Sequence, residues 1–204
     1  MSDAAAWDAR YAAGGFQFGE APNAYLEAHG HRLRPGTRAL CLGDGEGRNG
    51  AWLAARGLDV TTVDWSPLGV AKARVLAASR GVALRAEVAD LTAWDAWPVG
   101  ACDLVAWVFV HLPPADRAAV AERAVAALAP GGWLLLEGFS PAQEGRRSGG
   151  PKDRALLWTG AEARRLFGAL TLEECLEGTV RLDEGPRHQG EAEVVRGLWR
   201  RSRG

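Results

Sequence analysis

Several features that define protein classes are missing from this sequence of 204 residues. Its three cysteines are odd in number and far apart, so neither a disulfide framework nor a metal centre is predicted, and buried free thiols are expected at Cys41 and Cys102. No stretch reaches the roughly 18 apolar residues that a membrane-spanning helix needs. The first residues carry neither a basic region nor an apolar block, which predicts no signal peptide. We therefore expect a soluble, cytoplasmic protein.

A strong charge of either sign is also missing. The formal net charge is -1, and no basic stripe or acidic tract runs along the chain. Such a balance gives no electrostatic footprint for nucleic acid and no composition for disorder. The hydrophobic fraction of 48% is enough for a full core, and the length favours one domain over residues 1–204. We expect no nucleic-acid or membrane partner.

What the sequence does have is a glycine-rich turn, LCLGDGEGRNG at residues 40–50. An apolar strand runs into Gly43, Gly45 and Gly47, and a helical pattern follows at once. Glycines at such positions let the backbone turn sharply and approach a ligand closely. The N-terminus of the following helix directs free N–H groups at the same point. This stretch predicts a loop that binds a nucleotide-type cofactor.

Near-continuous apolar runs alternate with helical patterns around this turn. Such runs indicate parallel strands that helices cover on both faces. We therefore predict an α/β fold: a doubly wound, Rossmann-like sheet, mostly parallel, with ligands at the carboxyl ends of its strands. The predicted strands span residues 38–43, 58–64, 83–89, 102–110 and 133–139, and the predicted helices span 47–56, 66–80 and 115–128.

The two ends of the chain follow other patterns. Residues 1–32 form an N-terminal cap segment with helices predicted over 3–12 and 22–31, the second with Pro22 in its first turn. The polar stretch 140–158 is long enough to predict an active-site loop. A capping box at residues 159–162 opens a short helix. Strand patterns over 171–182 and 190–200 are too close for a helical crossover, which predicts an antiparallel pair and seven strands in all.

Three positions bear on the identity of the cofactor. A dinucleotide loop has the pattern G-x-G-x-x-G, but Arg48 stands where its third glycine would fall. Asp64 ends the second strand, where an acid accepts the ribose hydroxyls of a nucleoside. Asp90 ends the third strand, where a carboxylate can receive the amino group of adenine. The closing antiparallel pair is not a feature of dinucleotide folds.

With these positions in place, the chain resembles a class I S-adenosylmethionine-dependent methyltransferase. The stretches that carry the resemblance cover about half of the chain and are LCLGDGEGRNG at 40–50, TTVDWSP at 61–67, EVADL at 87–91, CDLVAWVFVHLPP at 102–114 and LAPGGWLLLEGF at 128–139. Trp7, Arg10-Tyr11 and Pro22-Asn23 resemble the small-molecule branch that includes tellurite-resistance and thiopurine methyltransferases. Asp44 departs from the Cys or Ser that is frequent in relatives.

The resemblance implies S-adenosylmethionine as the cofactor and assigns roles to single positions. The glycines would shape the loop under the methionine and ribose, with Asp44 and Asn49 beside it. Asp64 would hold the ribose, Trp65 would pack on the adenine, and Asp90 and Leu91 would bind its edge. Arg10 or Tyr11 would close over the cofactor carboxylate, and Trp107 would lie beside the sulfonium. The cofactor-binding set is Arg10, Tyr11, Gly43, Asp44, Gly45, Gly47, Asn49, Asp64, Trp65, Asp90, Leu91 and Trp107.

The acceptor side of the reaction is less well marked in the sequence. Methyl transfer from a sulfonium needs alignment and exclusion of water, so a thiolate or a chalcogen oxyanion requires no base, whereas a neutral nucleophile does. The candidate bases are His111 after the fourth strand and His188 in the turn of the antiparallel pair. The cationic residues of the long loop, Arg146, Arg147 and Lys152, would suit an anionic substrate or simply be solvated.

The predicted function is methyl transfer to a small-molecule acceptor by a monomer or homodimer. Two alternatives stay open. One is a non-catalytic protein that binds adenosylmethionine or adenosylhomocysteine, because displacement at an activated methyl requires no signature nucleophile. The other is a nicotinamide-dependent oxidoreductase, which the missing third glycine and the absence of a Tyr-x-x-x-Lys pair disfavour.

Overall fold

A computed structural model describes residues 4–203. Its centre is a seven-stranded sheet with the order β3-β2-β1-β4-β5-β7-β6. β1 to β5 are parallel to one another, and β7 runs antiparallel to both β5 and β6. The strands are β1 Arg38–Leu42, β2 Asp59–Asp64, β3 Arg85–Val88, β4 Cys102–Val108, β5 Leu128–Phe139, β6 Thr171–Asp183 and β7 Gln189–Arg200.

Helices cover both faces of this sheet. They are α1 Ala4–Tyr11, α2 Ala24–Ala28, α3 Arg48–Ala55, α4 Pro67–Ser79, α5 Pro114–Ala127 and α6 Gly160–Leu166. Successive strand residues point to opposite faces, so Leu40 joins the core cluster that includes side chains of α5 and α6, whereas Cys41 joins the cluster that includes side chains of α2 and α3. The predicted doubly wound α/β sheet with a terminal antiparallel pair is therefore confirmed.

The element boundaries differ most from the prediction at two places, the second helix and the fifth strand. The second helix was predicted over 22–31 with Pro22 in its first turn, but it spans only Ala24–Ala28, so Pro22 precedes it. Asn23 caps it, because its side chain accepts a hydrogen bond from the Leu26 N–H. β5 starts at Leu128 instead of residue 133, because Leu128 already pairs with Cys102 across a bulge. The predicted first helix included residue 3, which lies outside the described residues.

The long segment after β5 is held against β7 instead of projecting from the sheet. The Ser140 N–H donates to the Glu193 carbonyl (2.9 Å), and the Glu193 N–H donates to Gln143 Oε1 (2.7 Å). The buried Gln143 amide also donates to the Ser148 hydroxyl (2.9 Å). The segment contains two short 3-10 helices, Pro141–Gln143 and Arg154–Leu156. The segment is therefore an anchored loop whose later residues face the carboxyl edge of the sheet.

Cys41 and Cys102 are buried free thiols, as predicted. Between residues 4 and 203, no helix has the length and apolar character to cross a membrane.

Candidate active site

The glycine-rich turn adopts the backbone conformation that its sequence predicts. Gly43, Gly45 and Gly47 all have positive φ angles, of 53°, 54° and 83°. A Cβ atom at Gly43 would lie 2.5 Å from Val110 Cγ2, and one at Gly45 would collide with the Tyr11 hydroxyl. Glycine is required at these two positions because the end of β4 and the helix α1 approach the loop this closely.

A cavity of about 500 Å³ opens beside this turn, at the carboxyl ends of the parallel strands. This is the position at which open α/β sheets bind their ligands. Its wall is built by α1 and the segment after it, the glycine turn, the ends of β2, β3, β4 and β5, the later part of the long loop and the β6–β7 turn. The predicted site residues that line it are Arg10, Tyr11, Gly43, Asp44, Gly45, Asn49, Asp64, Trp65, Asp90, Leu91, His111 and His188.

One end of the cavity is acidic, and Asp64 lies at its centre. The buried carboxylate accepts hydrogen bonds from the backbone N–H groups of Gly45 and Ser66, both at 2.9 Å. Burial raises the pKa of Asp64 to about 6, although these two N–H donors work to lower it. The carboxylate therefore orients the glycine turn and retains lone pairs for a ligand.

Asp44 is the second acid of this end. Its Oδ2 accepts a hydrogen bond from the Gly50 N–H at 2.9 Å. Its Oδ1 is buried and has no hydrogen-bond partner among the described residues. Burial raises the pKa of Asp44 to about 6, with the Gly50 N–H and the Asn49 side chain opposing the shift. A buried acceptor without a donor is costly, so a donor on a ligand would stabilise it.

Asp90, Trp65 and Leu91 line the same end of the cavity. Asp90 Oδ1 accepts from both the N–H and the hydroxyl of Thr92, each at 2.8 Å. This local turn fixes the carboxylate at the end of β3 without burying it. The side chains predicted for the adenosine portion of the cofactor thus share one end of the cavity with Asp64.

The segment before the sheet covers the acidic end. Tyr11 is buried, with Asp64 and Glu46 near its hydroxyl, and burial followed by these carboxylates raises its pKa well above the ordinary value. Glu46 accepts the Gln17 N–H (2.7 Å) and pairs with Lys72 (2.9 Å), which ties the segment after α1 to the glycine turn. The guanidinium of Arg10 lies over the Trp7 ring, 4.5 Å from its centroid.

The opposite end of the cavity is aromatic. The His188 ring is buried and contacts Phe109, Phe18 and Phe139, with ring centroids at 4.5, 4.7 and 5.4 Å. Phe109 is the one described non-glycine residue with a positive φ, 53°. A bulky side chain in this conformation is strained, and such strain concentrates at functional sites. Phe109 follows the last residue of β4 and is part of the cavity wall.

A buried polar network around Glu184 lies behind the aromatic end of the cavity. Glu184 accepts hydrogen bonds from Arg48 Nη2 (2.6 Å), Asn23 Nδ2 (3.0 Å) and the Ala24 N–H (3.1 Å). Burial works to raise the pKa of Glu184, but the nearby His188, Arg48 and the Ala24 N–H together lower it to about 2. The network joins the β6–β7 turn to the first residue of α3.

Asn23 extends this network to the sheet. Its amide also donates to Glu137 at 2.7 Å, and Glu137 is fully buried and accepts a second bond from Arg196 Nε at 2.9 Å. The acid at position 137 therefore lies behind the cavity and does not line it.

The two candidate bases have different environments. His111 Nδ1 lies 3.0 Å from the Leu156 carbonyl, so this nitrogen carries the hydrogen, and Nε2 accepts the Phe139 N–H at 3.4 Å. Burial lowers the pKa of His111 to about 4. His188 Nδ1 lies 3.9 Å from Glu184 Oε2, beyond hydrogen-bond range, and has no partner. Burial also lowers the pKa of His188. Both rings are therefore neutral near pH 7.

Two predicted cofactor residues are not part of the cavity wall. Trp107 is fully buried in the core, where it stacks edge-on against Trp158 (5.4 Å) and donates to the Val110 carbonyl (2.9 Å). The prediction that Trp107 lies beside the cofactor is therefore wrong. Both faces of β4 are buried, so the sequence of this strand does not show which side chains point to the site. Gly47 caps α3 and allows it to pack on Ala73, since a Cβ there would lie 2.5 Å from that methyl group.

The cationic residues of the long loop separate into two groups. Arg146 pairs with Glu191 (3.1 Å) and with Glu193, which fixes the loop to β7. Arg147 is exposed and lines the cavity, as does Arg187 from the β6–β7 turn. Lys152 is exposed and outside the cavity wall. Only part of this cationic cluster therefore faces the site.

The sequence prediction missed the aromatic end of the cavity. Its aromatic side chains come from four separate segments and share no sequence motif. The one unusual feature among them is the positive φ of Phe109, which a sequence does not show. The missed side chains are Phe18, Phe109 and Phe139, with Arg48 and Glu184 of the network behind them. Within the described part of the chain, no group of three or more His, Cys, Asp or Glu side chains is arranged to hold a metal ion.

Comparison with known proteins agrees with this geometry. Residues 39–132 match a family described as "Methyltransferase domain". This range therefore carries a methyltransferase domain, and together with the cavity it supports S-adenosylmethionine as the methyl donor. The matched range contains the glycine turn, Asp64 and Asp90, which are among the positions that the resemblance assigned to the cofactor, whereas Arg10 and Tyr11 lie before it. No curated protein sequence matches the chain.

Solved structures share the fold at low sequence identity. One, described as "Conversion of a Disulfide Bond into a Thioacetal Group during Echinomycin Biosynthesis", has a TM-score of 0.79 and 22% identity over 99% of this chain and 94% of its own. TehB from Haemophilus influenzae has a TM-score of 0.73 and 16% identity over 96% of this chain and 66% of its own. A TehB-like methyltransferase from Corynebacterium glutamicum ATCC 13032 has a TM-score of 0.63 and 21% identity over 98% of this chain and 96% of its own.

Proposed function

We propose that this methyltransferase alkylates a small-molecule acceptor that binds at the aromatic end of the cavity. The observation that carries the proposal is the division of one cavity into an acidic end beside the glycine turn and an aromatic end around His188. The cofactor occupies the first end and the acceptor the second, so the methyl group is transferred where β4 ends.

The acidic end fits the donor group by group. Asp64 receives the ribose hydroxyls and Asp90 the adenine amino group, with Trp65 and Leu91 against the ring. The orphaned Oδ1 of Asp44 receives the ammonium of the methionine portion, which supplies the donor that this buried atom lacks. Tyr11 and Arg10, on the covering helix α1, close over the carboxylate.

The chemistry requires alignment and little else. Methyl transfer from a sulfonium is an in-line displacement, so the cavity contributes by positioning the nucleophile and excluding water. The structure described by a disulfide-to-thioacetal conversion concerns sulfur chemistry, which supports a sulfur nucleophile here. A thiolate would need no base at all.

An acceptor that carries a proton would rely on His188. Its pKa is lowered, so the ring is neutral near pH 7 and able to accept a proton. His111 is less suited to this role because both of its ring nitrogens are already engaged with backbone groups. His188→Gln is expected to slow methylation of alcohols or amines by about 100-fold and of thiols far less.

Calorimetry with adenosylhomocysteine and NAD tests the cofactor assignment. Adenosylhomocysteine is expected to bind and NAD is not. Formation of adenosylhomocysteine from adenosylmethionine is then measured over thiols, chalcogen oxyanions, phenols and amines. Binding without turnover of any acceptor would favour a non-catalytic binding protein. Failure of adenosylhomocysteine to bind at millimolar concentration would contradict the proposed function.

A further inference from the structure

Besides the neutral His188, whose Nδ1 is unpaired, the aromatic end has unpaired polar groups that are cationic donors. Arg48 is buried and lines the cavity, and its Nη1 has no hydrogen-bond partner among the described residues. Arg147 and Arg187 line the cavity as well, and within residues 4–203 neither has a carboxylate within ion-pair distance. The buried acid of this region, Glu184, already accepts hydrogen bonds from Arg48 and Asn23. A ligand that completes these donors must supply oxygen acceptors.

The other arginines of the long loop behave differently. Arg146 is paired with Glu191 and Glu193, and Arg154 with Glu144 at 3.1 Å. Arg187 is held in place by its neighbour Gln17, which accepts from its Nε at 3.2 Å and from its N–H at 3.2 Å. This contact leaves the terminal guanidinium nitrogens without a hydrogen bond to the described residues. Among the three arginines of the long loop, the one without an ion pair, Arg147, is thus the one that lines the cavity.

The wall between these cations is apolar. Phe18, Phe109 and Phe139 surround the His188 ring, and Gly149 and Gly150 approach this cluster by their backbone. A Cβ at Gly149 would lie 2.9 Å from His188 Cδ2, and one at Gly150 would lie 3.1 Å from the Phe139 ring. A small inorganic anion would leave this aromatic surface exposed to water. A ligand with an apolar body would cover it.

We propose that the methyl acceptor is an organic anion, in which an apolar body packs on Phe18, Phe109 and Phe139 and a carboxylate or similar oxyanion binds Arg147 and Arg187. This inference rests on the proposed function and specifies its substrate class. It separates the organic acceptors of that proposal from the chalcogen oxyanions, which have the charge without the apolar body.

Four thiols that vary ring and charge independently test the inference. They are 4-mercaptophenylacetate, its amide, which lacks the carboxylate, mercaptoacetate and 2-mercaptoethanol, with tellurite as the inorganic anion. Binding of each to the adenosylhomocysteine complex is measured by calorimetry, so that no turnover is needed. The aromatic acid is expected to bind at least about tenfold more tightly than its amide, because charge-assisted hydrogen bonds are lost in the amide.

Variants assign the two contributions to side chains. The double variant Arg147→Gln/Arg187→Gln is expected to abolish the preference for the acid over the amide. Phe18→Leu is expected to weaken both aromatic ligands several-fold and to leave mercaptoacetate unchanged. Arg154→Gln, in the same loop but outside the cavity wall, is the matched control and is expected to change nothing.

Several outcomes would overturn the inference. These are equal binding of acid and amide, survival of the preference in the double variant, tighter binding of tellurite than of the aromatic acid, and no binding of any thiol to the complex. Each of them leaves the proposed function in place as long as adenosylhomocysteine binds. Loss of adenosylhomocysteine binding itself would instead contradict the proposed function.

Discussion

The two ends of the cavity are built on different physical principles. The acidic end is held by backbone N–H groups of turns that follow the strands, as at Asp64 and Asp90. The aromatic end is held by long-range side-chain contacts, such as the Arg48–Glu184 pair between residues 136 positions apart. The first end belongs to the sheet, whereas the second is assembled from segments that the fold brings together. The comparison suggests that the donor site is fixed by the fold and the acceptor site by the particular sequence.

The largest effect is expected from removing the charge that holds the aromatic end together. Glu184→Gln leaves the buried Arg48 without its carboxylate, which should lower the free energy of unfolding by about 3 kcal/mol. The pKa of Glu184 is depressed to about 2, so its stabilisation is present above the ordinary Glu pKa and is lost as the pH falls toward 2. Urea unfolding of both proteins should therefore differ at neutral pH and converge in acid.

Glu191→Gln is the control for this variant, since Glu191 is exposed and pairs with Arg146 at the surface. It should cost less than about 1 kcal/mol. An equally stable Glu184→Gln protein would remove the distinction between the two ends, because the aromatic end would then need no side-chain network.

The next effect concerns the acidic end. Asp64→Asn keeps the shape of the side chain but removes the charge that would hold two ribose hydroxyls. The dissociation constant of adenosylhomocysteine should rise about 100-fold, because hydrogen bonds to charged groups are worth about 1.5–3 kcal/mol each. Asp59→Asn, at the exposed start of the same strand, should leave it unchanged. Unaltered affinity in the Asp64 variant would show that the ribose does not bind there.

A smaller effect should appear in the pH dependence of the same affinity. The pKa values of Asp44 and Asp64 are both raised to about 6 by burial, and only the ionised forms accept hydrogen bonds fully. Affinity for adenosylhomocysteine should therefore be maximal above pH 6 and fall by up to about tenfold per pH unit and per group below it. Asp44→Asn should make the slope shallower. The affinity is measured by calorimetry. If it does not change across this pH range, Asp44 and Asp64 do not bind the cofactor.

The smallest effect is expected at His111. Its two nitrogens hold the Leu156 carbonyl and the Phe139 N–H, so it acts as part of the wall. His111→Gln should change the rate of methyl transfer by no more than a few-fold, against the larger loss expected for His188→Gln. The reverse order of the two variants, measured with one acceptor, would assign the base to the strand end instead of the β6–β7 turn.

The sequence predicted the acidic end well for a physical reason. Parallel strands that follow one another along the chain end at the same edge of the sheet, so acids after β2 and β3 are expected near the glycine turn. Apolar runs and helix caps predicted the order and type of nearly every element, because secondary structure depends largely on local sequence. The sequence alone therefore predicts that Asp64 and Asp90 lie at this edge of the sheet, beside the glycine turn.

The aromatic end could not be predicted in this way. Phe18, Phe139 and His188 belong to segments that meet only when the antiparallel pair closes the sheet, and no local pattern announces that meeting. Trp107 shows the same limit, because a strand buried on both faces has no alternation that reveals which residues point to the site. His188 itself was predicted from its turn, but the buried Glu184 in the same turn was not.

The most direct test of the division of the cavity is a crystal structure of the adenosylhomocysteine complex. We expect the ribose hydroxyls at Asp64, the ammonium at Asp44 Oδ1, and the sulfur atom directed past Phe109 toward His188 and the aromatic end. Adenine among Phe18, Phe109 and Phe139, or a sulfur atom directed away from them, would contradict the account.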